Sequence, residues 1–190
     1  VIKSALSQCE KALHSLTQND NALQKILAAS ELMISALKNK QRIYSCGNGG
    51  SMCDAMHFAE ELSGRFRKDR PALGAMALSD PAHLTCTGND FGFDMVFARF
   101  VEAVGRKGDV LFAISTSGNS PNILKAAQAA KEMDMKVVLL TGVAQGVIAP
   151  FADVEIVTPG FTPYSDRVQE LHIKVIHILI ELCEKGLHMA

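Results

Sequence analysis

No apolar run in this 190-residue sequence reaches the roughly 18–20 residues that a bilayer-spanning helix needs. Leu171–Cys183 comes nearest, but His172, Lys174, His177 and Glu181 interrupt it. The opening Val1-Ile-Lys-Ser-Ala-Leu-Ser lacks the long apolar centre of a signal peptide. Because the chain begins on Val1, a few residues are expected to precede it. Neither charge is in excess. With 19 basic and 20 acidic side chains the formal net charge is −1, which gives no electrostatic reason for nucleic-acid or membrane binding. No C-x-x-C pair occurs among Cys9, Cys46, Cys53, Cys86 and Cys183. Scattered and odd in number, they suit reduced thiols of a cytoplasmic protein rather than a disulfide framework. A Walker loop is absent, so triphosphate chemistry is not expected. Gly47-Asn-Gly-Gly leaves G-x-G-x-x-G incomplete, since Met52 stands at its last glycine. There is no internal repeat and no low-complexity segment.

What is present suits one domain spanning 1–190, with 48% hydrophobic and 21% charged residues. Residues 1–17 read as a helix whose Ile2, Leu6, Cys9, Leu13 and Leu16 form a narrow seam. That seam packs either on its own domain or on a partner subunit. A second helix, about 22–38, follows the cap candidates Asn19-Asp20-Asn21, with Leu23, Ile26, Leu27, Met33, Ile34 and Leu37 as its apolar face. Short apolar runs then follow at 42–46, 74–78, 109–114, 136–141 and 153–157, with helical stretches near 51–63, 93–104, 121–133 and 145–151. Strands alternating with helices predict a doubly wound α/β sandwich with a five-stranded parallel sheet. Polar residues follow almost every strand, where ligands bind in such sheets. A final helix, about 164–187, is apolar over most of its circumference and is expected to be buried.

Two loops carry the chemistry. Cys46-Gly-Asn-Gly-Gly-Ser51 is a glycine turn, with Ser51 at a favoured N-cap position, that opens a helix carrying His57, Glu60 and Glu61. His57 and Glu61 stand four residues apart on one helix face. Apolar neighbours imply that at least one carboxylate turns inward, where loss of water makes a carboxylate a stronger base. Ser115-Thr-Ser-Gly-Asn-Ser120 precedes Pro121, a favoured first helical residue. Its hydroxyls and backbone N–H groups suit a phosphate without Lys or Arg, although a polar turn with a good cap would look similar. His57 with Glu61, and Gln169 two turns from His177, also admit a metal, although glutamine is not a favoured zinc ligand. Asn89-Asp90 read as part of a polar loop, and Arg65, Arg67, Lys68 and Arg70 as a basic cluster. His172 and His177, taken alone, read as core histidines.

The blocks Ser45-Cys-Gly-Asn-Gly-Gly-Ser51, Asp54-Ala-Met-His-Phe-Ala-Glu-Glu-Leu62, Gly88-Asn-Asp-Phe-Gly-Phe93, Ile114-Ser-Thr-Ser-Gly-Asn-Ser120 and Gln169-Glu-Leu-His-Ile-Lys-Val-Ile-His-Ile-Leu-Ile180 closely resemble the phosphoheptose isomerases of the sugar isomerase (SIS) domain superfamily. The match runs in order from about residue 40 to 185. The resemblance implies a flavodoxin-like SIS fold and interconversion of D-sedoheptulose 7-phosphate with D-glycero-D-manno-heptose 7-phosphate, toward lipopolysaccharide or capsule. It implies Glu61 as base and His177 as its acid partner. Asn48, Gly49, Gly50 and Ser51 would line the sugar, with Asn89 and Asp90 contacting it. Ser115, Thr116, Ser117 and Ser120 would hold the phosphate, and Arg65, Asp166 and Gln169 would complete the pocket. It further implies one zinc per subunit on His57, Glu61, Gln169 and His177, and a homotetramer in which residues 1–40 help assembly and sites lie between subunits.

Two departures stand out. Met52 replaces a histidine of the resembling sequences, and Pro159-Gly-Phe-Thr-Pro-Tyr-Ser-Asp166 replaces a stretch like Pro-His-Phe-Gly-Tyr-Ala-Asp, which bears on sugar choice. Non-catalytic SIS regulators, including replication-initiator-binding proteins, share the fold and serine loop but lack the Glu60-Glu61 pair and the His177 equivalent. SIS enzymes acting on hexose or amino-sugar phosphates are the other alternative.

Overall fold

The computed structural model describes residues 1–189. Its strands are β1 (Ile43–Cys46), β2 (Ala75–Ala77), β3 (Val110–Ser115), β4 (Lys136–Thr141) and β5 (Val154–Val157). They pair in parallel in the order β2-β1-β3-β4-β5. This is the flavodoxin-like order, whose topological switch lies between β1 and β3. Parallel strands covered on both faces need apolar residues at every position, and β3 is buried throughout.

The helices are α1 (Ile2–Thr17), α2 (Asp20–Lys38), α3 (Gly50–Ser63), α4 (Pro81–Phe91), α5 (Ala98–Val104), α6 (Pro121–Glu132) and α7 (Asp166–Gly186). The sheet separates two cores. Ile43, Val110, Phe112, Ile114, Val138 and Leu140 point to the layer of α2, α3 and α7. Tyr44, Leu111, Ala113, Val137 and Leu139 point to α5 and α6. α3 packs against both β1 and α7, so the helix that follows the glycine turn runs beside the last helix of the chain.

Several boundaries differ from the sequence reading. Asn89 and Asp90 are not in a loop: α4 covers them, with the Asp80 side chain accepting from His83 N–H and Pro81 at the helix start. Of its residues only Thr87 is buried, so no apolar stripe announced it. The 93–104 helix divides into a 3-10 turn, Phe93–Met95, and α5; in 145–151 only the 3-10 turn Ala149–Phe151 forms. Ser51 is not an N-cap. The positive φ of Gly49, 54°, turns the chain into the helix earlier, and Ser51 is buried in its first turn. In α2 the inward face is Ala22, Ile26, Ala29, Ser30, Met33 and Ala36, while Leu23 and Leu27 stay exposed. Small residues let α2 lie close to the sheet, and the larger leucines then face away.

Candidate active site

The two polar loops flank the switch point. At Gly50 a Cβ would lie 2.6 Å from the Gln169 amide, so the turn passes close against α7 and any side chain there would have to displace that amide. Asn48 is fixed by a reciprocal amide pair with Asn122 of α6, at 2.9 and 2.8 Å. Across from it, Ser120 is the N-cap of α6 yet makes no side-chain cap bond. Its hydroxyl meets that of Ser115 at 3.1 Å. The first-turn N–H groups of α6, which have no partner within the helix, are left facing the loop and favour an anion there. Gly118, at φ 66°, closes the loop by donating from N–H to Ser115 O. A cavity of about 300 Å³ lies between the loops, lined by Asn48, Gly49, Gly50 and Ser51, by Ser115, Thr116 and Ser120, and by Ser165 and Gln169.

The titratable groups gather where α3 meets α7. His57 Nε2 and His177 Nε2 are 2.9 Å apart. Glu61 Oε1 is 3.5 Å from His57 Nε2, and Glu60 Oε1 is 3.2 Å from His57 Nδ1. Glu61 is the inward carboxylate, its side chain 17% exposed against 64% for Glu60. Burial holds His177 below the usual histidine range, the positive charge of a protonated His57 adds to this, and Glu61 opposes it. Two facing imidazole nitrogens share at most one proton between them. Two imidazoles and a carboxylate are also an ordinary donor set for zinc. The ligating atoms of His57, Glu60 and Glu61 lie within 4.8 Å of one another. Gln169, two turns before His177, faces Gly50 instead.

The expected site residues therefore divide. Asn48, Gly49, Gly50, Ser51, Ser115, Thr116, Ser120 and Gln169 share the cavity. His57, Glu61 and His177 form the cluster on the helices. Ser117 and Thr116 border a neighbouring cavity of about 580 Å³ under residues 160–165. Asp166 opens α7, exposed, accepting from Arg167 N–H. Arg65, Asn89 and Asp90 are exposed and line neither cavity. Asn122 and Ser165 were not expected; the signal for Asn122 was its place just after Pro121, at the mouth of the serine loop. Asp54 stands three residues before His57. Its Oδ2 is buried without a partner, and burial pushes the carboxyl up to about 6, with His57 pulling it back.

Residues 7–142 match the SIS domain family model. The chain is 55% identical to the phosphoheptose isomerase of Vibrio parahaemolyticus over 97% of this chain and 96% of that one. Identity to the Vibrio cholerae phosphoheptose isomerase is likewise 55%, with the same coverage. Among solved structures, the phosphoheptose isomerase of Neisseria gonorrhoeae superposes with a TM-score of 0.89 at 40% identity, covering 97% of each chain. That from Francisella tularensis gives 0.91 at 34% identity, covering 97% of this chain and 96% of that one. With the same fold, order of elements and near-complete coverage, the chain belongs to the phosphoheptose isomerase family of SIS-domain enzymes.

Proposed function

We propose that this isomerase interconverts D-sedoheptulose 7-phosphate and D-glycero-D-manno-heptose 7-phosphate through an enediol, early in heptose supply for lipopolysaccharide or capsule. The observation that carries the reading is the approach of His57 and His177 to 2.9 Å beside the inward Glu61. Glu61 takes the proton from one carbon of the C1–C2 pair and returns it to the other. His177, kept largely neutral near pH 7 by burial, moves the proton between the neighbouring oxygens. The serine loop and the N-terminus of α6 hold the phosphate, and a phosphate fixed far from C1 orients the open chain over the base. Asn48, held by Asn122, and the bare glycine turn shape the sugar end.

Zinc fits the donor set of His57, Glu61 and His177, with Gln169 the fourth ligand that the family resemblance implies. When bound it would supply a Lewis acid for a sugar oxygen. A nitrogen that ligates zinc cannot also carry the transferred proton, so the two roles of His177 exclude each other at Nε2. Zinc content and turnover, measured on the same preparation before and after chelation, decide between them. If the stripped protein keeps full activity, the zinc reading falls and His177 is free to act as the acid; if activity returns in proportion to zinc and His177→Ala loses the metal, His177 acts as a ligand.

A homotetramer of cytoplasmic location completes the proposal. Leu16 of the α1 seam is buried on this domain, whereas Ile2, Leu6 and Leu13, with Leu23 and Leu27 of α2, are exposed and leave the rest of the seam to a partner subunit. Arg65, Asn89 and Asp90 are then available to a neighbouring subunit's cavity. Sedimentation of the purified protein gives the oligomeric state. The activity is tested by product analysis across ketose 7- and 6-phosphates. No turnover of sedoheptulose 7-phosphate by folded, zinc-supplied protein refutes it, and turnover confined to a hexose phosphate redirects it.

A further inference from the structure

The segment after α3 runs back along α7 and touches it at regular intervals. The Phe66 ring lies against His177, with centroids 5.6 Å apart. Arg67 Nη1 pairs with Glu181 Oε2 at 3.1 Å, and Arg70 Nε donates to Glu184 Oε1 at 2.6 Å. His177, Glu181 and Glu184 are at i, i+4 and i+7, one stripe of the helix. The first contact is half-buried, the second is open to solvent on the arginine side, and the third is sealed: the Arg70 and Glu184 side chains are 2% and 4% exposed. Apart from a bond from Nη1 to Pro71 O, Arg70 turns its other donors to the end of α3. Nη2 donates to Glu61 O at 2.7 Å, and Nη1 to Leu62 O at 2.8 Å. These are last-turn carbonyls that the helix itself cannot satisfy.

One guanidinium therefore grips the main chain of Glu61 and, through Glu184, the helix that carries His177. We infer that Arg70 is a positioning residue for the isomerase. By joining the end of α3 to α7 it sets the distance between the Glu61 carboxylate and the His177 ring, while Phe66 of the same segment fixes the ring's tilt. This rests on the reading of Glu61 and His177 as the proton-transfer pair. A planar, five-donor group suits the task, because its three nitrogens reach along a rigid fork to separate carbonyls and a carboxylate, whereas a lysine offers all its donors from one nitrogen.

The test separates positioning from support. Arg70→Met leaves Glu184 buried and unpaired, so both stability and turnover fall. In Arg70→Met/Glu184→Leu an apolar pair replaces the ion pair, a change that often restores stability. The expected result is a thermal midpoint back near wild type with kcat still down about 100-fold and KM moved by less than about threefold. Arg70→Lys, which keeps the charge, folds and loses kcat in the same sense. Return of wild-type kcat together with stability in the double variant overturns the inference, as does a folded Arg70→Lys with unchanged kcat. Glu61→Gln is assayed in parallel. If it is active, the proton-transfer reading fails whatever the Arg70 variants do; if it is inactive while the double variant is fully active, only the positioning role fails.

Discussion

The two ends of the candidate site are built on different principles. At the helix end, His57 and His177 come from the middles of α3 and α7 and Glu61 from the last turn of α3, and their spacing depends on how the two helices pack. At the loop end, Ser115–Ser120 and the N-terminus of α6 form one continuous stretch, and its geometry is local. A group that must meet a reacting carbon within a fraction of an ångström is placed on rigid elements, whereas a phosphate with several oxygens is satisfied by a loop of hydroxyls and N–H groups. The helix end should therefore govern kcat and the loop end KM.

The sharpest way to break that division is Glu61→Gln, which should lower kcat by about 10²–10⁴-fold while leaving substrate affinity in place. Isothermal titration with sedoheptulose 7-phosphate, alongside turnover, tests both halves. Equal losses in both would merge the two ends.

A second experiment separates the two histidines of α7. His172 is fully buried, and neither ring nitrogen makes a hydrogen bond of good geometry. Burial pushes it down to about 4, with the Thr141 backbone offsetting part of the effect. As pH falls below about 6.5 the unfolded chain takes up a proton that the folded chain refuses, so stability drops until about pH 4. The total is roughly 3 kcal/mol from this group. Above pH 6.5 both states are neutral and the contribution vanishes. Urea titrations from pH 7 to 4 should show the slope, and His172→Leu should flatten it. An unchanged slope would assign the acid sensitivity elsewhere.

At the loop end, Ser120→Ala removes a hydroxyl expected to bond a charged phosphate. Such a bond is worth about 1.5–3 kcal/mol, so KM should rise about 10- to 100-fold with a small change in kcat. A pure kcat effect would mean that the serine loop belongs to the chemistry. The smallest change should come from Gly50→Ala. The new Cβ displaces the Gln169 amide, the far end of a flexible side chain, and should cost about 1 kcal/mol of stability. A loss of zinc affinity in this variant would make Gln169 a ligand and tie the glycine turn to the helix end.

Much of the site could be read from the chain because its parts are local. The serine loop announces itself by hydroxyls ahead of Pro121, and the glycine turn by residues that tolerate a φ of 54° at Gly49. Alternation of apolar strands with helices is enough to imply a parallel sheet. α4 escaped because its exposed Thr85, Cys86, Asn89 and Asp90 read as turn chemistry, although Asp80-Pro81 was a sound helix start. In α2 Ile26 and Met33 face inward as expected, but Leu23 and Leu27 give way to Ala22, Ala29, Ser30 and Ala36.

The sequence by itself determined the fold class, the two polar loops and, through the family resemblance of its blocks, the set of residues to watch. Only the tertiary structure decided which of Glu60 and Glu61 turns inward, that His57 meets His177 across 120 positions of chain, and that Arg70 is buried against Glu184 rather than solvated in a basic cluster. The physical reason is range. Periodicity, capping and turn preference act within a few residues, so they are written along the chain. The contact between α3 and α7 exists only because the parallel sheet sets both helices on one of its faces.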